Sequence, residues 1–182
     1  MENKPSIFKY SLIYGVILGL ALVIYSSLLY VTNLMFVQVL GYLSFVIIIV
    51  IMYLGEKAYR DKGLGGSINY GQAFLTGLLI VVFASVISSL FTYLLYTVID
   101  LDLVEKSLKF QEDKMIASGK YTDQQIEFGM NMARKFTTPN RMLIMGILGS
   151  AFFGAIFSLL ISIFIKKEPL PIEPQAQPEN QA

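Results

Sequence analysis

The chain contains no cysteine and no histidine. The first absence excludes a disulfide framework, a thiol nucleophile and an iron–sulfur site. The second removes the usual general base and the commonest metal ligand. Charge is also scarce. Asp, Glu, Lys and Arg make up 15% of the residues, against about 25% in soluble domains. The net charge of +1 points away from nucleic acid as a partner. No catalytic, cofactor-binding or metal-ligating set can be assembled, so the sequence predicts no enzyme and no cofactor.

What is present is hydrophobic and segregated. No charge falls from Ser11 to Val31, Leu34 to Gly55, Gly63 to Ile99 or Met142 to Ile165. A soluble core helix shows a polar face every turn, and these stretches do not. Crossing about 30 Å of hydrocarbon takes about 20 residues at 1.5 Å each. All four stretches are long enough. The predicted fold is all-α, a polytopic membrane protein with spans at about 8–29, 36–54, 72–96 and 142–165. Residues 1–167 form one four-span domain, and residues 168–182 a Pro-rich tail expected to be disordered. Pro171 and Pro174 in that tail match a PxxP pattern, but a solvated tail is the simpler reading.

Lys4 and Lys9 precede an apolar run, as in a signal peptide. The run Tyr10–Leu29 is too long for a signal h-region, and no cleavage site follows it, so the first span is expected to be retained. The turn near Thr32 and Asn33 makes the first two spans antiparallel neighbours. Glu56 to Lys62 reads as a charged exit from the second span. Gly63, Gly65 and Gly66 then form a turn, with Ser67 and Asn69 available for capping. No Gly-Lys-Ser/Thr follows them, so they make no phosphate cradle.

Residues 100–141 differ in kind, with seven basic and seven acidic side chains. Leu101, Val104, Leu108 and Met115 recur near helical spacing, and Asp102–Lys106 and Glu105–Lys109 are i,i+4 pairs. Ser118-Gly119 is a helix stop. Thr122 with Gln125 forms a capping box for a second helix, faced by Ile126, Met130 and Ala133 and stopped at Pro139. The segment is thus predicted to be a helical hairpin outside the hydrocarbon, docked through Met115, Ile126, Met130 and Phe136.

Basic residues set the orientation. Lys4, Lys9, Lys57, Arg60, Lys62, Lys166 and Lys167 fall on one side of a four-span layout, and the first short turn has none. Both termini are therefore placed in the cytoplasm and residues 100–141 outside. Tyrosines near the span edges fit this arrangement, Tyr10, Tyr59 and Tyr70 at the inner boundary, Tyr25, Tyr30 and Tyr96 at the outer.

Small residues recur every four positions at Gly146, Ser150, Gly154, Ser158 and Ser162, and again at Ser11, Gly15 and Gly19. Such ribbons let helix backbones approach where lipid supplies no hydrophobic drive. Contact between spans one and four is the default expectation, and a homo-oligomer seam the alternative. Ala84–Ser88 and Ser85–Ser89 in span three are weaker versions. Gln38 and Gln72 are expected to be hydrogen bonders near span ends. With no acid or base expected inside a span, a proton-coupled transporter is disfavoured. A small multidrug exporter and an intramembrane protease are disfavoured for the same reason.

The run Ser67-Ile68-Asn69-Tyr70-Gly71-Gln72-Ala73-Phe74, with Gly77 beyond it, resembles a known signature. So does Tyr93-x-x-Tyr96-x-x-Ile99-Asp100 leading into a charged helical segment. Both are similar to a domain-of-unknown-function family of small four-span membrane proteins found mainly in Bacteroidota. The resemblance spans about Lys9 to Lys166 and implies a bacterial inner-membrane location. It implies no chemistry.

Two functions remain. The first is a non-enzymatic accessory or assembly protein, embedded in lipid and meeting a protein partner through residues 100–141. The alternative is a channel or carrier for an uncharged or lipid-like solute, with Ser85, Ser88, Ser89, Ser150, Ser158 and Ser162 along a polar seam. An enzyme acting on lipid through Asp100 or Asp102 ranks last, because residues i and i+2 on a helix do not face each other.

Overall fold

The computed structural model describes residues 6–167. The chain forms α1 (Ile7–Val31), α2 (Gln38–Ala58), α3 (Tyr70–Leu94), α4 (Leu103–Ser118), α5 (Asp123–Phe136) and α6 (Pro139–Ile165). π-helical turns lengthen α2 through Tyr59–Gly63 and α3 through Leu95–Ile99. They close with i→i+5 bonds, Leu64 N to Tyr59 O at 3.0 Å and Asp100 N to Leu95 O at 2.9 Å. Four helices are long and apolar enough to cross a membrane: Ile7–Val31, Gln38–Gly63, Tyr70–Ile99 and Pro139–Ile165. The tail from residue 168, including the PxxP pattern, and Lys4 lie outside the described residues.

The helices outrun the apolar stretches that announce them. The largest difference is in α2, which does not stop near residue 54. It passes without a break through Gly55, Glu56 and Lys57 and winds on to Gly63. The supposed charged exit is therefore helix. Nothing between Leu54 and Lys62 breaks a helix, since Pro is absent and Gly55 costs only about 1 kcal/mol. Asn69 caps α3 as expected, accepting from Gln72 N at 2.8 Å while Gln72 Oε1 accepts from Asn69 N. A cap of this type contributes about 1 kcal/mol.

Helix α3 is the hub, and this corrects the expected contact between spans one and four. Both small-residue ribbons pack on α3, not on each other. Against the antiparallel α6, Gly77 meets Ser158, Val81 meets Gly154 and Ser89 meets Gly146. Each step of four up α3 matches a step of four down α6. The parallel α1 lies on another face of α3, with Gly15 on Ile80 and Phe83 and Gly19 on Ile87. Ser11 Oγ donates to Thr76 O at 3.3 Å. In each close contact one partner is small, so the backbones approach and dispersion replaces the missing hydrophobic drive.

The central core contains Leu18, Met52, Ile80, Val81, Ala84 and Ile161, all buried. Where Ser85 faces the Ser150 level, both partners are small. Here a cavity of about 110 Å³ remains, lined by Leu18, Leu22, Phe45, Ser88 and Phe157 among others.

Candidate functional sites

One end of the bundle carries both described termini. There Tyr10 and Tyr59 pack with ring centroids 5.5 Å apart. Arg60 Nη1 donates to Ile165 O at 3.3 Å while its Nε pairs with Asp61 at 2.7 Å. Ile68 and Lys167 exchange backbone bonds in both directions. This ties the α2–α3 connection to the end of α6.

One to two turns inward lies a feature that the sequence reading missed. Glu56 has no solvent exposure at all. Continuation of α2 as a helix turns its side chain inward among α3 and α6, whereas the neighbouring Lys57 and Asp61 face out. Ser158 Oγ lies 3.4 Å from Glu56 Oε1, and Ser162 Oγ lies 3.4 Å from Oε2. Ser158 Oγ also lies 2.7 Å from Phe74 O. Gly77 leaves the notch that the carboxyl occupies, since a Cβ there would strike Glu56 Oε1 and Ser158 Oγ. Thr76, Ser11, Ser158 and Ser162 are all fully buried. The expectation of spans with no acid or base inside them is therefore wrong at Glu56, and the argument against proton coupling built on it falls. The available signal was the spacing of Glu56 on α2. It lies four residues after Met52, which is fully buried, and so falls on the inward face.

The other end carries α4 and α5. Helix α4 lies against the bundle through one row of side chains. Ser107 shares a 3.1 Å hydrogen bond with Tyr96, and Phe110 stacks on Phe36 with centroids 5.1 Å apart. Lys114 Nζ donates to Gln38 Oε1 at 2.7 Å. At the hinge, Asp100 accepts from Lys106 Nζ at 2.8 Å, from Tyr30 Oη at 3.3 Å and from Asp102 N at 3.1 Å. Lys106 thus pairs with Asp100, correcting the expected Asp102–Lys106 pair. Asp102 stands at the N-cap of α4, and its backbone carbonyl accepts from Lys106 N. The Lys106 ammonium holds the Asp100 carboxyl below the usual carboxylate range, and Asp100 in turn holds Lys106 above its usual value.

Gly119, at φ 62°, ends α4 in the left-handed conformation that glycine adopts without penalty. The Thr122–Gln125 capping box restarts the chain as α5. Met130 is buried, Ile126 and Ala133 are half-buried, and Met115 lies against Gly129. Leu103 and Leu108 do the packing on α4. Leu101 and Phe136 do not belong to the docked face, being 72% and 52% exposed. Phe136 instead continues an exposed row with Phe128, at 66%, and Met132, at 40%. The i,i+4 spacing puts these three side chains on one stripe of α5.

Of the other expected polar positions, Gln38 and Gln72 make the bonds given above. Ser85 Oγ donates to Val82 O at 2.8 Å and Ser88 Oγ to Ser85 O at 3.4 Å. The six serines do not form one seam: Ser85, Ser88 and Ser150 border the cavity, Ser89 lies against Gly146, and Ser158 and Ser162 contact Glu56.

An all-helical bundle with no strand among the described residues and four helices long and apolar enough to cross a membrane defines the class. The chain belongs to the family described as "Protein of unknown function (DUF4199)", whose pattern matches residues 13–167. No curated protein and no solved structure matches it.

Proposed function

We propose that the protein is a non-enzymatic accessory or assembly protein of the bacterial inner membrane, with both termini cytoplasmic and α4–α5 as an extracytoplasmic partner surface. Lys57, Arg60, Lys62 and Lys166 gather at the end that holds the termini, which supports that end as the inner one. The observation that carries the reading is the exposed stripe Phe128–Met132–Phe136. It stands on a hairpin held to the bundle by the Tyr96, Phe36 and Gln38 contacts. Three large apolar side chains aligned on one exposed stripe of α5 favour contact with another apolar surface. A photo-crosslinking residue at Phe128 in living cells should yield a discrete protein adduct that the same residue at Glu127 does not. Identical adducts at both positions, or adducts to lipid alone, would count against the partner surface.

The cavity beside Ser85 and Ser150 favours a second reading, a channel or carrier for an uncharged or lipid-like solute. Its volume of about 110 Å³ falls below the roughly 300–1,000 Å³ of ordinary ligand pockets, which restricts any cargo to a small molecule. Solute flux in proteoliposomes, abolished by Ser150→Phe, is the expected result. Absence of flux across a panel of small neutral solutes would remove this reading.

A further inference from the structure

We propose that Glu56, Ser158 and Ser162 form a proton-binding site inside the bundle, in which Glu56 is a neutral carboxylic acid. The argument is an accounting of donors. A serine hydroxyl has one proton to give. Ser158 Oγ has two oxygen neighbours, Phe74 O at 2.7 Å and Glu56 Oε1 at 3.4 Å. The shorter contact takes the serine proton. Oε1 and Ser158 Oγ then face each other as two acceptors unless the carboxyl carries a proton and donates it. Ser162 keeps its own proton for Oε2. A neutral acid satisfies every atom, giving through Oε1 and accepting at Oε2. An ionised carboxylate would be left with one hydroxyl donor in a fully buried site, the arrangement that burial penalises most.

Among the described residues no ion pair engages Glu56; the ion pairs are Arg60–Asp61 and Lys106–Asp100. No cluster of three potential metal ligands occurs among them either. The groups against the carboxyl are Ser158 and Ser162 from α6 and the notch at Gly77 on α3. Nearby, Ser11 Oγ donates to Thr76 O, Thr76 Oγ1 donates to Gln72 O, and Tyr14 lies against Gly55. On α2 and its π-helical turn, Lys57 and Asp61 face away, Tyr59 packs on Tyr10, and Arg60 is engaged by Asp61 and Ile165 O. Tyr59, Ile68 and Ile165, all buried, lie one turn nearer the end of the bundle and seal the site on that side. Release of the proton passes it to an entering water and leaves a carboxylate. Water must replace the lost hydrogen bond, so release requires α6 to part from the α2–α3 pair at Ser158. The site is therefore a proton switch on helix packing, and it stands whether or not the hairpin binds a partner.

The test uses the full chain in lipid nanodiscs. The infrared difference between wild type and Glu56→Gln at neutral pH should show the carbonyl stretch of a protonated carboxylic acid. That band should fade at alkaline pH. Dicyclohexylcarbodiimide, an apolar reagent for protonated carboxyls, should label the Glu56 peptide in a manner that weakens over the same pH range. Ser158→Ala keeps the acid and tests the geometry without removing Glu56, so a folding failure of Glu56→Gln does not end the experiment. It should shift the acid band and raise labelling. A carboxylate signature from Glu56 at neutral pH would overturn the proposal. So would loss of the acid band on adding sodium or lithium chloride, which would mark a metal-cation site. An acid band unchanged up to alkaline pH, with no label, would make Glu56 a fixed structural bond and overturn it as well.

Discussion

Replacing Gly154 by alanine tests the α3–α6 interface most directly. A Cβ on Gly154 would stand 2.7 Å from Val81 Cγ1 and 2.8 Å from Val81 Cβ, whereas ordinary contact begins at 3.4 Å. The shortfall is about 0.7 Å. Val81 cannot rotate away, because a β-branched side chain in a helix holds one χ1 rotamer. It is also buried. The two backbones must therefore separate, and overpacking of this kind costs about 1–3 kcal/mol. Gly→Ala also gains up to about 1 kcal/mol of helix propensity, which partly hides the clash. Gly149→Ala on the same helix supplies the control, because its Cβ meets nothing within 4 Å. The propensity gain is common to both, so their difference isolates the clash. Unfolding in mixed micelles, followed by helical circular dichroism, should place Gly154→Ala about 1–3 kcal/mol below Gly149→Ala. Adding Val81→Ala to Gly154→Ala should recover part of that loss. Equal stability of the two single variants would mean that Gly154 does not face α3, and the register derived above would be wrong.

Single cysteines at Ser67 and Ser118 in this cysteine-free chain should react from opposite sides of the membrane, and labelling of both by an impermeant reagent in intact cells would overturn the proposed topology. Hydrogen exchange in nanodiscs should show protection in α4 and α5 with fast exchange at Gly119–Tyr121, whereas uniform fast exchange from Asp100 to Pro139 would remove the hairpin. Asp100, whose carboxyl is held low by Lys106, contributes stability above its unfolded value of about 3.9 and loses it as pH falls through the lower folded value. Lys106, held high, contributes below about 10.4 and loses its share as pH rises through the folded value. Protection at the start of α4, measured against the intrinsic exchange rate at each pH, should therefore be greatest between those limits, and Asp100→Asn should abolish its loss on the acid side. Thr122→Ala should cost α5 about 1 kcal/mol and speed exchange in its first turn, while unchanged rates would show that the capping box adds nothing.

Much of the fold is written in local sequence. Four long charge-free runs specify four membrane-length helices because length and apolarity are one-dimensional properties. The stop at Gly119, the Thr122 box and a cap from Asn69 were legible for a related reason, since each is set by residues three or four apart. The reciprocal bond to the Gln72 side chain appeared only in the structure. The Asp100–Lys106 pair was misassigned because i,i+4 spacing ignores the hinge before α4, where Asp100 is not yet helical. Tertiary structure alone decided which helix the small-residue ribbons meet. A row of glycines and serines says that something approaches closely, and only the bulk of Val81, Phe83 and Ile87 on α3 says what. It alone also decided the state of Glu56. In sequence this residue heads a run of charges and looks solvated. In the bundle it meets Ser158 and Ser162, 102 and 106 positions away, because an uninterrupted α2 keeps it on the same face as Met52. A helical period fixes the direction of a side chain, but whether water or another helix waits there depends on how the whole chain packs.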